Sequence, residues 1–538
     1  PPRSTLFPYT TLFRSGSIME TISFASAFAL CVILTYSAFI AKYNAVFQQC
    51  GYRVGEYVAC FKSSLIQETR KVAFCSLCLF VFSFATLAIG VTWIISAVNL
   101  AFFAFLCMLF ARYENIRVKA KYTFRFSRIT IVGFAFYGGV CVAVACGIYY
   151  GGWVLCAAFP CVAAASLLIP FTPIVGKTIN LPYDKYRYAV SIKAAREKIA
   201  SVKGLKVIAV TGSCGKTTVK NYIADLLAEK YITVKTPASY NTPLGVALAA
   251  KELASDTRFF IVEMGARRKG DIAELCALAP PDVAVITGVT LQHAETFGTL
   301  SDITEEKGKV VAALKQNGFA VISGETSGSR RIYDDCGCDK ILVGAGEICD
   351  AVIKDIAFSS HGSSFSLVFG NETLKINAPF YGRHNVVDFS IAAVTALKLG
   401  VDARSIEEKA NSIRPPDHRF SVFVTPAGVT IIDDGYNANI EGIKSGAESL
   451  KYFGGRKFAV FSGIAECGKE GGHLNAEAGR TLWENCDELI AVGRYADDIL
   501  RLAKGRKVAT LDDAREILKN EVSKGDTVAF FSDLPDRY

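Results

Sequence analysis

Residues 211–218 read Thr-Gly-Ser-Cys-Gly-Lys-Thr-Thr, directly after an apolar run, Lys-Val-Ile-Ala-Val, at 206–210. A strand that breaks into a glycine-bearing turn and then opens a helix presents main-chain N–H groups to anionic oxygens, and a following lysine adds charge. The longer form of such a loop has a glycine five residues before the Gly-Lys pair. Val210 stands there in this chain, and the glycines are Gly212 and Gly215, so the loop is the short variant. This pattern assigns Gly212, Ser213, Cys214, Gly215, Lys216, Thr217 and Thr218 to the phosphates of ATP. Lys216 would meet the β- and γ-phosphates, and the Thr217 hydroxyl would face Mg²⁺.

Three further residues have suitable chemistry. Glu263 ends a second apolar run, FFIVEM (259–264). Alone it would be a solvated strand-end acid; beside phosphates it is a hard oxygen ligand for Mg²⁺. His293 lies in TGVTLQHAETFGTL (287–300), just past a third run, VAVITGV (283–289). Lys307 lies in EEKGKV (305–310), on a predicted helix where lysines ordinarily face solvent. The three runs alternate with amphipathic stretches of helix length. That is the pattern of a mostly parallel α/β sheet, whose ligands sit at the C-terminal strand ends.

The 538 residues allow about three or four domains. Half the chain is apolar (51%), and the excess lies before residue 176. Apolar runs at about 21–41, 72–90, 92–111, 129–149 and 152–172 have membrane-spanning length. The segments 42–71 and 112–128 carry clustered Lys and Arg, whereas the connections near 91 and 150 carry none. This predicts five spans, a multi-pass inner (plasma) membrane location, and a cytoplasmic C-terminal part. The net charge of +9 thereby has a topological reading, and no basic stripe with interleaved aromatics indicates nucleic acid. Ten of the 17 cysteines fall before residue 162, mostly in apolar runs, and Cys336 and Cys338 form an isolated CxC. Disulfides and a zinc site are not indicated. Residues 1–18 read as a non-native leader.

The motifs in their order resemble the Mur ligase family. After TGSCGKTT come an Asn-bearing turn, SYNTPLG (239–245), then EMG (263–265), then His293 with Phe297-Gly298, then Lys307. GRHNVVD (382–388) is similar to the family's Gly-x-His-Asn motif, and IIDDGYNANIEGI (431–443) to a segment of its D-Ala-D-Ala-adding branch, MurF. The resemblance implies an ATP- and Mg²⁺-dependent amide ligase that activates a carboxylate as an acyl phosphate. By that resemblance Thr217, Glu263 and His293 hold Mg²⁺, Lys216 stabilises the moving phosphoryl group, and a carbamylated Lys307 holds a second Mg²⁺. Asn241 lies near the phosphates, Asn385, Arg419 and Asp434 hold the nucleotide, and Tyr436 and Asn437 line the substrate cleft.

The expected organisation is a transmembrane domain over 19–176, an amphipathic connector over 177–204, a P-loop α/β domain over 205–413 and a Rossmann-like α/β domain over 414–538. The chain departs from the branch at Asp388 and Gly435, in SGIAECG (462–468) and in FSDLPDR (531–537). The expected partners are a cell-envelope precursor, lipid-linked or UDP-linked, and an amino acid or dipeptide. The alternatives are a nucleotide-gated membrane scaffold and a folylpolyglutamate- or cyanophycin-type ligase. The oligomeric state is left open.

Overall fold

All three apolar runs are adjacent strands of one sheet. The computed structural model describes residues 39–55, 57–58, 121–135, 139, 168–290, 297, 299–359, 361–435, 440–464 and 470–531. The chain divides into two compact units, Pro1–Arg187 with Asp536–Tyr538, and Tyr188–Pro535.

Within Tyr188–Pro535 the first sheet contains β1 (Lys206–Thr211), β2 (Thr233–Lys235), β3 (Phe259–Glu263), β4 (Val283–Ile286), β5 (Phe319–Ser323), β6 (Asp339–Gly344), β7 (Ala351–Ser359), β8 (Gly362–Phe369) and β9 (Glu372–Ala378). Their order is β2-β3-β1-β4-β5-β6-β7-β8-β9. The strands from β2 to β7 run parallel, and β7, β8 and β9 form an antiparallel extension. Pairing sets Val210 beside Glu263 and Thr211 beside Ile286. The motifs therefore emerge side by side.

The helices that matter are α1 (Thr172–Ser201), α2 (Lys216–Leu227), α3 (Pro243–Ala249), α4 (Asp271–Leu278), α5 (Leu300–Ala312), α6 (Arg383–Lys398) and α7 (Ile440–Ser449). Side chains alternate across β1. Ile208 and Val210 face Val219 and Tyr222 of α2 and Val386 and Phe389 of α6. Val207 and Ala209 face Val246 of α3, Leu275 of α4 and Ile303 of α5. Burial on both faces explains why parallel strands read as continuous apolar runs. Tyr222 meets Phe380 and Phe389, each at 5.8 Å between centroids, which locks α6 against α2.

The second sheet contains β10 (Ser421–Val424), β11 (Thr430–Asp434), β12 (Lys457–Phe461), β13 (Glu488–Val492), β14 (Arg506–Val508) and β15 (Thr527–Phe531). Its order is β10-β11-β15-β12-β13-β14, parallel except for the β10–β11 pair. Both α/β parts have the expected class.

The five-span membrane domain and the multi-pass membrane location are overturned. Among the described residues no helix is long and apolar enough to cross a membrane. The runs at 72–90 and 92–111 lie outside the described residues, as do most of those at 21–41 and 152–172. Where the chain is described, charge interrupts the apolar pattern. The helical segment 124–135 carries Arg125 and Arg128, which pair with Asp184 of α1 at 3.1 and 2.7 Å. The long α1 has charged residues through its second half and a proline, Pro182, inside it. Residues 177–201 of the connector expected over 177–204 thus belong to one helix that already begins at Thr172. The case for a lipid-linked acceptor leaned on the membrane domain and goes with it.

Candidate active site

The phosphate loop depends on its two glycines. Gly212 has φ +153° and a Cβ there would run into Thr287 Oγ1; Gly215 has φ +76° and a Cβ would run into the Asp388 carboxylate. Gly215 is the left-handed N-cap of α2, a conformation that glycine adopts without steric cost. The loop is sewn to the end of β4. Ser213 N donates to Gly288 O at 2.7 Å, Ser213 Oγ donates to Thr290 O at 2.8 Å, and Thr287 Oγ1 donates to Cys214 O. Burial pushes the Cys214 thiol up to about 11. Thr218 is buried on α2.

Two lysines converge on one carbonyl of this loop. Lys216 Nζ donates to Gly212 O and Ser213 O, both at 2.8 Å. Lys307, buried on α5, donates to the same Gly212 O at 2.7 Å. Burial pushes both amines below their ordinary value, and the neighbouring Lys216 charge pushes Lys307 further. Glu306 beside it has a structural task, accepting the N–H groups of Gly270 and Ile272 at the start of α4, each at 2.9 Å.

At the end of β3, Glu263 is 1% exposed and fully engaged. Its Oε2 accepts from Thr217 Oγ1 at 2.9 Å and from Lys220 Nζ at 3.0 Å, and its Oε1 accepts from Asn241 Nδ2 at 3.4 Å. Its own N–H donates to Thr236 Oγ1 at 3.1 Å. Asn241 O in turn accepts from Gly265 N at 3.1 Å. Thr217, Glu263 and Asn241 are thereby brought together.

A third wall comes from α6 and the second sheet. Asn385 is buried, but its amide donates to Tyr381 O at 2.9 Å, inside its own helix turn. It is Asp388, one turn further on, that reaches the phosphate loop. His384 Nδ1 hydrogen-bonds Ser445 Oγ of α7 at 3.0 Å, and burial holds the ring down to about 4, so it is neutral. Arg419 sits between two non-glycine residues with left-handed backbone, His418 (φ 62°) and Phe420 (φ 55°). His418 Nδ1 is 2.7 Å from Asp433 Oδ2, and Phe420 N donates to Asp434 Oδ1 at 3.2 Å. These contacts hold the turn. Burial lifts the Asp388 and Asp434 carboxyls to about 7, each opposed by the Arg419 charge. His293, Tyr436 and Asn437 lie outside the described residues.

The donor set fits a polyphosphate with a hard divalent cation. Two partly or fully desolvated amines flank the loop, and a hydroxyl, a carboxylate and an amide meet at its edge. Sequence reasoning missed Lys220 and the contact of Asp388 with Gly215. Its place one turn beyond Lys216 on the same helix does not separate Lys220 from a solvated lysine; its partners Glu263 and Ala238 O, on other elements, do.

A short phosphate loop on a parallel sheet, backed by a second α/β module that supplies an arginine, defines a nucleotide-using enzyme of two linked α/β modules. Two family models match the chain, the Mur ligase middle domain over residues 210–396 and the Mur ligase glutamate ligase domain over 418–534. The UDP-N-acetylmuramoyl-tripeptide–D-alanyl-D-alanine ligase of Bacillus subtilis is 28% identical over 338 residues, covering 61% of this chain and 73% of that protein. The crystal structure of the MurF ligase of Thermotoga maritima in complex with ADP superposes with a TM-score of 0.59 at 30% identity, covering 65% of this chain and 81% of that one. MurF from Acinetobacter baumannii superposes with a TM-score of 0.60 at 25% identity, covering 64% and 77%. The chain belongs to the Mur ligase family. It is an ATP-dependent ligase of the MurF-like kind, with ATP and Mg²⁺ as cofactors.

Proposed function

We propose that this chain phosphorylates the terminal carboxylate of a peptide on a cell-envelope precursor and joins it to an amino acid or dipeptide. D-alanyl-D-alanine is the first candidate, since the relatives' names specify it. The observation that carries this reading is the meeting of Lys216 and Lys307 on Gly212 O, next to the Thr217–Glu263–Asn241 cluster.

In this reading the carboxylate oxygen attacks the γ-phosphorus and the bond to ADP breaks. The amine nitrogen then attacks the acyl carbon, giving up a proton, and the C–O bond to phosphate breaks. Phosphoryl transfer needs positioning and charge neutralisation more than covalent help. Lys216 supplies charge over the loop, and the loop N–H groups orient the phosphates. Thr217, Glu263 and His293 would hold Mg²⁺, which supplies charge neutralisation at the phosphate oxygens. Burial, with the neighbouring Lys216 charge, holds the Lys307 amine well below its ordinary value, which favours the neutral nucleophilic form that carbamylation needs. As a carbamate it would be anionic and able to hold a second Mg²⁺. Asn385, Arg419 and Asp434 would clasp the nucleotide, and Tyr436 and Asn437 would line the cleft for the incoming amine.

The test is incubation with ATP, Mg²⁺, a UDP-linked muramoyl tripeptide and D-Ala-D-Ala. The expected result is equal yields of ADP, phosphate and amide. ATP turnover without amide would contradict the proposal. The same peptide on a lipid carrier, run in parallel, identifies the carrier.

A further inference from the structure

Lys220 is a charged residue at 0% exposure, outside the phosphate loop, and the reaction scheme above leaves it without a task. Burying an ammonium group is costly unless its partners are well placed. Its partners define its position. Lys220 Nζ donates to Glu263 Oε2 at 3.0 Å and to Ala238 O. Ala238 is a non-glycine residue with left-handed backbone, φ 42°, in the turn that runs from Thr236 to Asn241. Thr236 Oγ1 holds the Glu263 N–H, and Asn241 holds Glu263 Oε1. Thr217 lies three residues before Lys220 on α2, on the same helix face, and reaches the same carboxylate oxygen at 2.9 Å. One ammonium group thus ties the phosphate helix, the end of β3 and the Asn241 turn together.

We infer that Lys220 is a positioning residue for the divalent-cation site: it acts through Glu263, holding that carboxylate and the Asn241 turn in the geometry that accepts Mg²⁺ with the nucleotide. The inference rests on the proposed nucleotide site. The competing reading is a buried ion pair that only pins α2 to β3. The two differ in what they demand of metal binding. A pinning pair changes stability alone. A positioning pair changes the Mg²⁺ requirement, and does so only while Glu263 is present to be positioned.

The experiment is calorimetric titration of ADP into the full chain, in EDTA and across a Mg²⁺ series, with thermal melting as the check on folding. Lys220→Met should bind ADP in EDTA within about twofold of the unmodified chain while its Mg²⁺ half-saturation rises about tenfold or more, the size seen when partners of metal ligands are removed. Glu263→Gln should raise the half-saturation similarly, and Lys220→Met should add nothing in that background. If the methionine variant melts below the assay temperature, Lys220→Gln, which keeps a donor for Ala238 O, is measured in its place with the same expected rise. A Mg²⁺ half-saturation within about twofold of the unmodified chain, or an equal Lys220 effect with and without Glu263, overturns the inference. An unmodified chain that fails to bind ADP refutes the nucleotide site itself, a different outcome from normal binding with no Lys220 effect.

Discussion

Glu263 on one side, and Asp388 with Asp434 on the other, face the candidate nucleotide site, and the two sides are built differently. Glu263 has a hydroxyl, an ammonium group and an amide at hydrogen-bond distance, and its backbone N–H is anchored as well. Asp388 and Asp434 sit opposite, with the Arg419 charge acting on both, and burial raises both carboxyls to about 7. The first arrangement is fixed by local donors on elements of one sheet. The second balances two acids against one cation carried on a strained turn. The comparison teaches that the metal side of the site is pre-set, whereas the clasp from α6 and the second sheet is poised to respond to pH.

The largest effect should come from the loop itself. Lys216→Ala should lower ATP-dependent amide formation by about a thousandfold, read as phosphate and amide yield, because the charge beside the moving phosphoryl group is lost. Glu263→Gln should lower the rate by about a hundredfold at saturating Mg²⁺. It should also cost about 3 kcal/mol in urea unfolding, since Lys220 would be left buried without its counter-ion. A small stability loss here would show that the metal side is less rigid than its contacts imply.

The clasp should respond to pH. Asp388 has a folded-state value of about 7 against an ordinary 3.8, so the folded state holds a proton that the unfolded chain has released. Stability therefore falls as pH rises from about 4 to about 7 and is level above that. Asp388→Asn removes this slope. The variant should match the unmodified chain below pH 4 and exceed it above pH 7 by about 4 kcal/mol. Urea unfolding at pH 4, 5.5 and 8 checks this, and parallel curves would break the comparison. The smallest effect belongs to the cleft. Asn437→Ala should raise KM for the incoming amine about tenfold while leaving ADP affinity unchanged.

The α/β architecture was legible because parallel strands buried on both faces leave continuous apolar runs, and because a phosphate loop has a backbone reason for each glycine. Thr217, Glu263, Asn241, Lys216 and Lys307 were each readable from motif order, and the fold brings them together. Lys220 was not legible, since a lysine one turn into a helix looks like any solvated residue until the partner strand is known. The place of Asp388 depends on Tyr222 stacking on Phe380 and meeting Phe389 edge-on, across more than 150 positions of chain, which no local pattern encodes. The bond of the Asn385 amide to a local carbonyl, Tyr381 O, is likewise nothing that its motif announces. The apolar N-terminal part misled because hydropathy reports burial in general and does not distinguish lipid from protein. Charges within the described helices there, Arg125, Arg128 and Asp184 among them, break that reading.

The central claim is that a carboxylate, and not water, attacks ATP at this loop. The direct measurement uses acceptor peptide labelled with ¹⁸O in its terminal carboxylate, with mass analysis of the phosphate released during amide formation. The account predicts one labelled oxygen in each phosphate, carried there through the acyl phosphate. Unlabelled phosphate released alongside amide would contradict it.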